Sequence, residues 1–237
     1  ARRLRAVVVD WQPDVLICSS DSLFILAGCV ACYGTGTRVV GELYDNYEAF
    51  ASARLPGVGK AFARALRRVD GIIAVSEPLA DRVKGVYGAT CPVRTITNGL
   101  DRAAFTRRDS AAARSRLGLP PERLLIGTGG SLFANRNISV LYDAFEVIRE
   151  ARPDALLVVA GERDVPVPRS EAVIDLGELD YAAMPDLFSA LDIGVICNTP
   201  SAFGSYCFPQ KAGEMAACGL PFCAADVGAL SRMFRGR

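Results

Sequence analysis

Two stretches of the chain carry residue types spaced to hold an anion. In 208–221 a loop runs through Pro209 and Gln210 into a helix start that bears Lys211 and, three residues on, Glu214. An i, i+3 spacing puts both side chains on one helix face. Free backbone N–H groups at a helix start attract negative charge, and a lysine there adds a full positive one. A carboxylate one turn later can accept two hydrogen bonds from neighbouring hydroxyls of a sugar ring. The same spacing also makes a plain salt bridge on a solvated face, and spacing alone leaves both readings open. The second stretch is Gly129-Gly130-Ser131-Leu132-Phe133-Ala134-Asn135-Arg136-Asn137, a Gly-rich turn after an apolar run. Glycine lets a backbone come close to a phosphate. Arg136 offers another cation there, or stands on a solvated loop. A dinucleotide fingerprint would need glycine at position 132 followed by an acid about 20 residues on. Residue 132 is leucine, so that pattern fails.

Composition removes several other chemistries. The 237 residues include no histidine. That excludes a Ser-His-Asp triad, a histidine general base and any histidine-containing metal site. Eight cysteines (Cys18, Cys29, Cys32, Cys91, Cys197, Cys207, Cys218 and Cys223) lie mostly in apolar runs. Cys29 and Cys32 form one C-x-x-C without the second pair that a zinc site usually has, so structural thiols are expected and no metal is assigned. Reduced thiols imply a cytoplasmic protein. Lys and Arg total 27 against 26 Asp and Glu, a net charge of +1, which argues against nucleic acid as a partner. No signal-peptide layout is visible. The apolar stretch 15–33 is broken by Ser19, Ser20, Asp21 and Ser22, and reads as strand, turn and helix rather than a membrane span.

The elements that must position these residues alternate. Short β-branched runs alternate with amphipathic stretches, which predicts parallel sheets covered by helices. Strands are expected at 14–18, 37–40, 71–75 and 93–96, with Ala6–Val9 readable either as helix or as strand. Ser76 is an N-cap with Pro78 in the following first turn. The polar, irregular 106–122, with Pro120-Pro121, reads as a linker. Beyond it come strands at 124–126, 155–160, 172–176, 193–197 and 221–224, with helices between them. The expected fold is α/β with two Rossmann-like domains across a cleft, 1–105 and 123–237. Ligands in such sheets sit at the carboxyl ends of the strands.

Taken together these segments resemble one family. Pro209-x-Lys211-x-x-Glu214-Met215-Ala216-x-x-Gly219-x-Pro221 is similar to the donor-site helix of the group 1 glycosyltransferases (family four), which have the GT-B fold. Three further segments follow the family's order and spacing: Gly71-Ile-Ile-Ala-Val-Ser76, Thr97-Asn98-Gly99-Leu100-Asp101-x-x-x-Phe105 and Val158-Val-Ala-Gly161-Glu162. The resemblance implies that Glu214 binds the ribose hydroxyls of a nucleotide, and that Arg136 is one of two cations on the donor diphosphate. Ser131 stands where the other cation is usual, leaving Lys211 as its substitute. Tyr206 takes the place of an earlier glutamate that contacts the donor sugar, so the chain is similar to the lysine-containing branch. Near the acceptor, Tyr44 stands where many members have histidine before the retained Asp45, and Asp45 and Glu48 are candidates for acceptor hydroxyls.

The resemblance therefore implies transfer of a sugar from a nucleoside diphosphate sugar to a carbohydrate or lipid-linked hydroxyl acceptor, with retention and without a required metal or cofactor. Gly130, Ser131, Arg136, Tyr206, Lys211 and Glu214 are the expected donor-binding residues, with Arg136 and Lys211 catalytic. Two rivals remain: a sugar-nucleotide epimerase of similar fold, and a degenerate non-catalytic binder, suggested by Ser131, Tyr206 and Tyr44. The basic stripe Lys60, Arg64, Arg67 and Arg68 is usually a solvated face, with peripheral membrane contact as the minority reading. The chain is expected to be a part of such an enzyme, cut at both ends, with exposed sheet edges that favour self-association.

Overall fold

A computed structural model describes residues 1–234 of the chain, which divides into two units. The first unit holds 1–98 together with 200–208, and the second holds 99–199 and the residues from 209 onward. In the first unit a helix α1 (Arg2–Trp11) precedes strand β1 (Val15–Cys18), helix α2 (Ser22–Cys32) and strand β2 (Arg38–Leu43). Helix α3 (Val58–Leu66), strand β3 (Gly71–Ala74), helix α4 (Glu77–Gly85) and strand β4 (Val93–Thr95) complete it. The strands form one parallel sheet in the order β1-β2-β3-β4. Ala6–Val9 lies within α1 and is helical. Asp21 caps α2 by accepting from Leu23 N at 2.8 Å, and Ser76 caps α4 by accepting from Leu79 N at 3.3 Å. Each cap satisfies an N–H group that the helix start would otherwise leave orphaned. Ile25, Leu43, Tyr47, Phe62, Leu66, Ile72 and Leu79 form the centre of this unit's core.

The second unit begins with helix α5 (Ser110–Leu117) and strand β5 (Leu124–Gly129), then helix α6 (Ser139–Ala151), strand β6 (Ala155–Ala160) and strand β7 (Val173–Asp175). Helix α7 (Met184–Ala190), strand β8 (Ile193–Ile196), helix α8 (Gln210–Ala217), strand β9 (Phe222–Ala224) and helix α9 (Gly228–Phe234) follow. Its sheet is parallel, in the order β7-β6-β5-β8-β9. Strand β6 is buried at every position, as a near-continuous apolar run in the middle of a parallel sheet should be. The order runs outward from β5 in both directions, so a topological switch point falls between β5 and β8.

The stretch expected as a linker belongs to the second unit. Its helix α5 carries Arg114, only 7% exposed, whose guanidinium donates to Ala190 O at 2.9 Å, Pro121 O at 2.7 Å and Asp192 Oδ2 at 2.8 Å. Arg108 and Arg116 both pair with Asp186 on α7. The polarity that reads as a solvated linker is that of arginines with fixed acidic partners. The division between the units comes earlier, at Asn98–Gly99.

Among the described residues no helix is long and apolar enough to cross a membrane. None of the eight cysteines is in a disulfide, and burial raises the pKa of both Cys29 and Cys32. No group of three or more Cys, Asp or Glu among the described residues is placed to hold a metal ion.

Candidate functional site

The switch point of the second sheet is built from two loops and a helix start. Strand β5 ends at Gly129, and Gly130 follows with φ +96°, its N–H donating to Ala160 O at 2.9 Å. Strand β6 ends beside it, and Gly161 follows with φ +134°. A Cβ on Gly161 would lie 1.8 Å from Gly130 O, so the two turns touch through bare backbone and only glycine fits. The chain after Gly130 then runs alongside the segment after β6. Leu132 N donates to Glu162 O at 2.8 Å, and Ala134 N donates to Asp164 Oδ1 at 2.7 Å. These bonds pin the short 3-10 turn Ala134–Arg136 that presents Arg136.

Helix α8 supplies the other side. Its N-cap, Pro209, makes no side-chain capping bond to the first N–H groups. A Cβ on Gly130 would lie 3.6 Å from Lys211 Nζ, which places the ammonium directly over the turn after β5. Burial pulls the Lys211 pKa down from 10.5 to about 8, with Arg136 acting in the same direction. Cys197 and Glu214 act in the opposite direction. Glu214 is 8% exposed, and burial raises its pKa against the pull of Lys211. Gly130, Arg136, Lys211 and Glu214 are thus neighbours in one polar site at the carboxyl ends of β5 and β8. Two cations close together in a desolvated place favour an anion between them, and a buried carboxylate one turn away favours hydroxyl donors. Ser131 lies half-buried in the same loop.

Two residues of this surrounding, Cys197 and Tyr181, were not expected at the site from sequence, and Gly161 was expected only as the end of a strand segment. Cys197, at the end of β8, feels Lys211 as a charge that lowers its pKa, although burial raises it more. Gly161 makes the backbone contact already described. The pKa of Tyr181 is raised by desolvation first and then by the charge of Glu214. No local pattern marks Cys197 or Tyr181, whereas Gly161 lies in the 158–162 segment that carries part of the resemblance.

The remaining expected residues lie in the first unit. Tyr44 is 44% exposed, donates to Ser20 O at 3.4 Å, and its ring meets Tyr47 edge-on at 5.6 Å. Asp45 is buried and accepts from Asn46 N at 2.8 Å. Glu48 is ion-paired with Arg82. Tyr206, expected from the resemblance at a donor-sugar contact, packs against the first unit's core and accepts from Arg82 Nη1 at 3.1 Å. The sequence places it between β8 and α8, yet its contacts group it with β3 and α4. Of the basic stripe, Lys60 and Arg64 are exposed on α3, while Arg67 donates to Tyr87 O at 3.1 Å.

Comparison with known proteins bears on both units. Residues 1–104 match the family described as Glycosyltransferase Family 4, and residues 123–236 match Glycosyl transferases group 1. A lipopolysaccharide core biosynthesis mannosyltransferase of Rhizobium meliloti is 27% identical over 186 residues, covering 72% of this chain and 49% of that protein. A GDP-mannose-dependent monoacylated phosphatidylinositol monomannoside mannosyltransferase of Corynebacterium glutamicum is 26% identical over 220 residues, covering 87% of this chain and 56% of the relative. The chain thus spans about half the length of these relatives. Among solved structures, HepE of Anabaena in complex with UDP superposes with a TM-score of 0.78 at 19% identity, covering 98% of this chain and 66% of that one. At that identity the likeness is one of fold.

Proposed function

We propose, from the premise that the chain belongs to the group 1 glycosyltransferases of GT-B fold, that it transfers a sugar from a nucleoside diphosphate sugar to a hydroxyl acceptor. The observation that carries this reading is Lys211 Nζ set over the Gly130 turn, with Arg136 and Glu214 near enough for their charges to act on it, at the switch point where a parallel sheet receives ligands. In the reaction the bond from the anomeric carbon to the diphosphate oxygen breaks, and the electron pair leaves with the phosphate. The acceptor oxygen bonds to the anomeric carbon and its proton passes to the departing diphosphate. Negative charge therefore grows on the diphosphate. Lys211, Arg136 and the start of α8 are fixed where they can meet it without reorganising, which is the efficient form of electrostatic catalysis. Glu214 holds the ribose hydroxyls. Retention of configuration is what the family resemblance implies, and this account of the charge needs no metal.

The donor class is supported by a relative whose name includes GDP-mannose dependence and by HepE structures with UDP and with UDP-glucose. The acceptor is a carbohydrate or lipid-linked saccharide. The test is turnover of UDP-glucose and GDP-mannose over a panel of such acceptors. Acceptor-dependent release of nucleoside diphosphate is expected, and Lys211→Ala should lower kcat/KM by about 100-fold. Acceptor-independent release of free sugar would point to an epimerase instead. Binding without turnover would support a non-catalytic binder, the reading that Tyr206, held by Arg82 where the family has a carboxylate, favours.

A further inference from the structure

Of the 27 lysines and arginines in the chain, only Lys60, Lys84 and Lys211 are lysines. Elsewhere in the second unit fixed charges are arginines: Arg108 and Arg116 on Asp186, Arg114 on Asp192 and Arg163 on Asp175. Lys211 makes no ion pair and no side-chain hydrogen bond among the described residues. A guanidinium keeps its proton at any ordinary pH, whereas a desolvated ammonium beside another cation gives its proton up and becomes a nucleophile. Lys211 has such surroundings. Its last two atoms run along the turn after β5, since a Cβ on Gly130 would lie 3.6 Å from Nζ and 3.8 Å from Cε. Gly130 has no side chain to stand between that bare backbone and the amine. Burial and then the charge of Arg136 bring the Lys211 pKa down to about 8, while Cys197 and Glu214 act the other way. Near pH ~7.5 about a quarter of such an amine is neutral, against about one part in a thousand for an ordinary lysine. Lys211 is half-buried rather than sealed, so a small reagent can reach it. Arg136 and the start of α8 favour a phosphate beside the amine.

We propose that Lys211 is a modification site: an acyl phosphate, held by its phosphate beside Arg136 and the start of α8, acylates the Nζ amine. The reagent class is the mixed anhydride of a carboxylic acid and phosphoric acid. The neutral amine attacks the acyl carbon and an N–C bond forms, while the bond from that carbon to the bridging phosphate oxygen breaks. The phosphate leaves with the electron pair and takes up the proton that the amine loses. The product is an amide, which carries no charge. Acylation thus removes one cation of the donor site and weakens its hold on a nucleoside diphosphate. That consequence rests on the donor-site reading above, whereas the acylation itself rests only on an amine beside a phosphate-binding turn.

The experiment treats the wild-type chain near neutral pH with acetyl phosphate and, in parallel, with N-hydroxysuccinimidyl acetate, which acylates without a phosphate. Peptide mass spectrometry reads acetylation at Lys211 and at Lys60 and Lys84, which are exposed on the first unit and serve as references. Acetyl phosphate should label Lys211 about tenfold or more faster than either reference. The preference should be smaller with the succinimidyl ester, and inorganic pyrophosphate should suppress it. Arg136→Ala should slow labelling of Lys211 and leave the references unchanged, and the wild-type comparison stands whether or not that variant folds. Equal labelling of the three lysines would overturn the proposal. So would a preference for Lys211 that is the same with both reagents and indifferent to pyrophosphate, since no phosphate would then be held there. The acetylated chain should bind UDP or GDP about tenfold more weakly than the untreated one. Selective labelling that pyrophosphate blocks but neither nucleotide blocks would uphold the modification site and remove the donor-site reading. Nucleotide binding without selective labelling would do the reverse.

Discussion

At the scale of single residues, the site stands on the cost of burying Lys211. Its pKa falls to about 8, chiefly through burial and then through Arg136. An unfolded lysine keeps its proton to about pH 10.4. Between those two values the unfolded chain binds more protons than the folded one, so this group's contribution makes stability rise with pH across that window. Below about pH 8 both states are protonated and the folded state bears the full penalty. Lys211→Met should therefore raise the Tm of the unliganded chain at about pH 7, and the gain should fade as pH rises towards about 10.4. A Tm lowered at neutral pH would show that the ammonium is stabilising where it sits. The same titration bears on binding: affinity for UDP or GDP should fall as pH rises from about 8 to 9, by up to about tenfold, and fall much less in Lys211→Arg. The shared face of Lys211 and Glu214 is legible in sequence because helix spacing is a local signal, whereas the roles of Lys211, Glu214 and Arg136 are what the family resemblance implies. The place of Tyr206 was not legible, since its partner Arg82 lies 124 positions away in the chain. Cys197 joins the site only through the β7-β6-β5-β8-β9 order, which no local pattern encodes.

At the scale of elements, the alternation of apolar runs and amphipathic stretches correctly foretold two parallel sheets with helices between the strands. It misread 106–122, because Pro120, Pro121 and several arginines look like a solvated linker. In the fold Arg114 is the hub of that stretch, holding the end of α7 and the entry to β5 through four hydrogen bonds. Asp192 Oδ2 also accepts from Leu125 N at 2.8 Å, so the pair is tied into the sheet itself. Removing one partner of such a pair leaves the other's polar atoms short of partners. Arg114→Ala should destabilise the second unit by about 3 kcal/mol, seen by calorimetry as an earlier transition. The first unit, whose core contains none of these residues, should melt as before. A single unshifted transition would mean that α5 is dispensable, as a linker would be.

At the scale of the whole molecule, the chain holds two separate apolar cores, one in each unit. Outside them it exposes a run of large apolar side chains on α1, β1 and α2, including Trp11 at 76%, Ile17 at 58%, Phe24 at 59% and Val30 at 59%. Strand β1 is also an edge of its sheet. An exposed apolar edge of that kind predicts concentration-dependent self-association in sedimentation, and a monomer at all concentrations would count against it. The claim on which the functional account depends is narrower and belongs to the second unit: Lys211, Arg136 and Glu214 form a receptor for a nucleoside diphosphate. Titration calorimetry of the chain with UDP and GDP tests it most directly, alongside Glu214→Gln and Arg136→Ala. The account predicts that at least one nucleotide binds and that each substitution weakens it about tenfold or more, Arg136→Ala by losing the diphosphate and Glu214→Gln by losing the ribose. Binding that is indifferent to both substitutions would place the nucleotide elsewhere and remove the basis for the assignment.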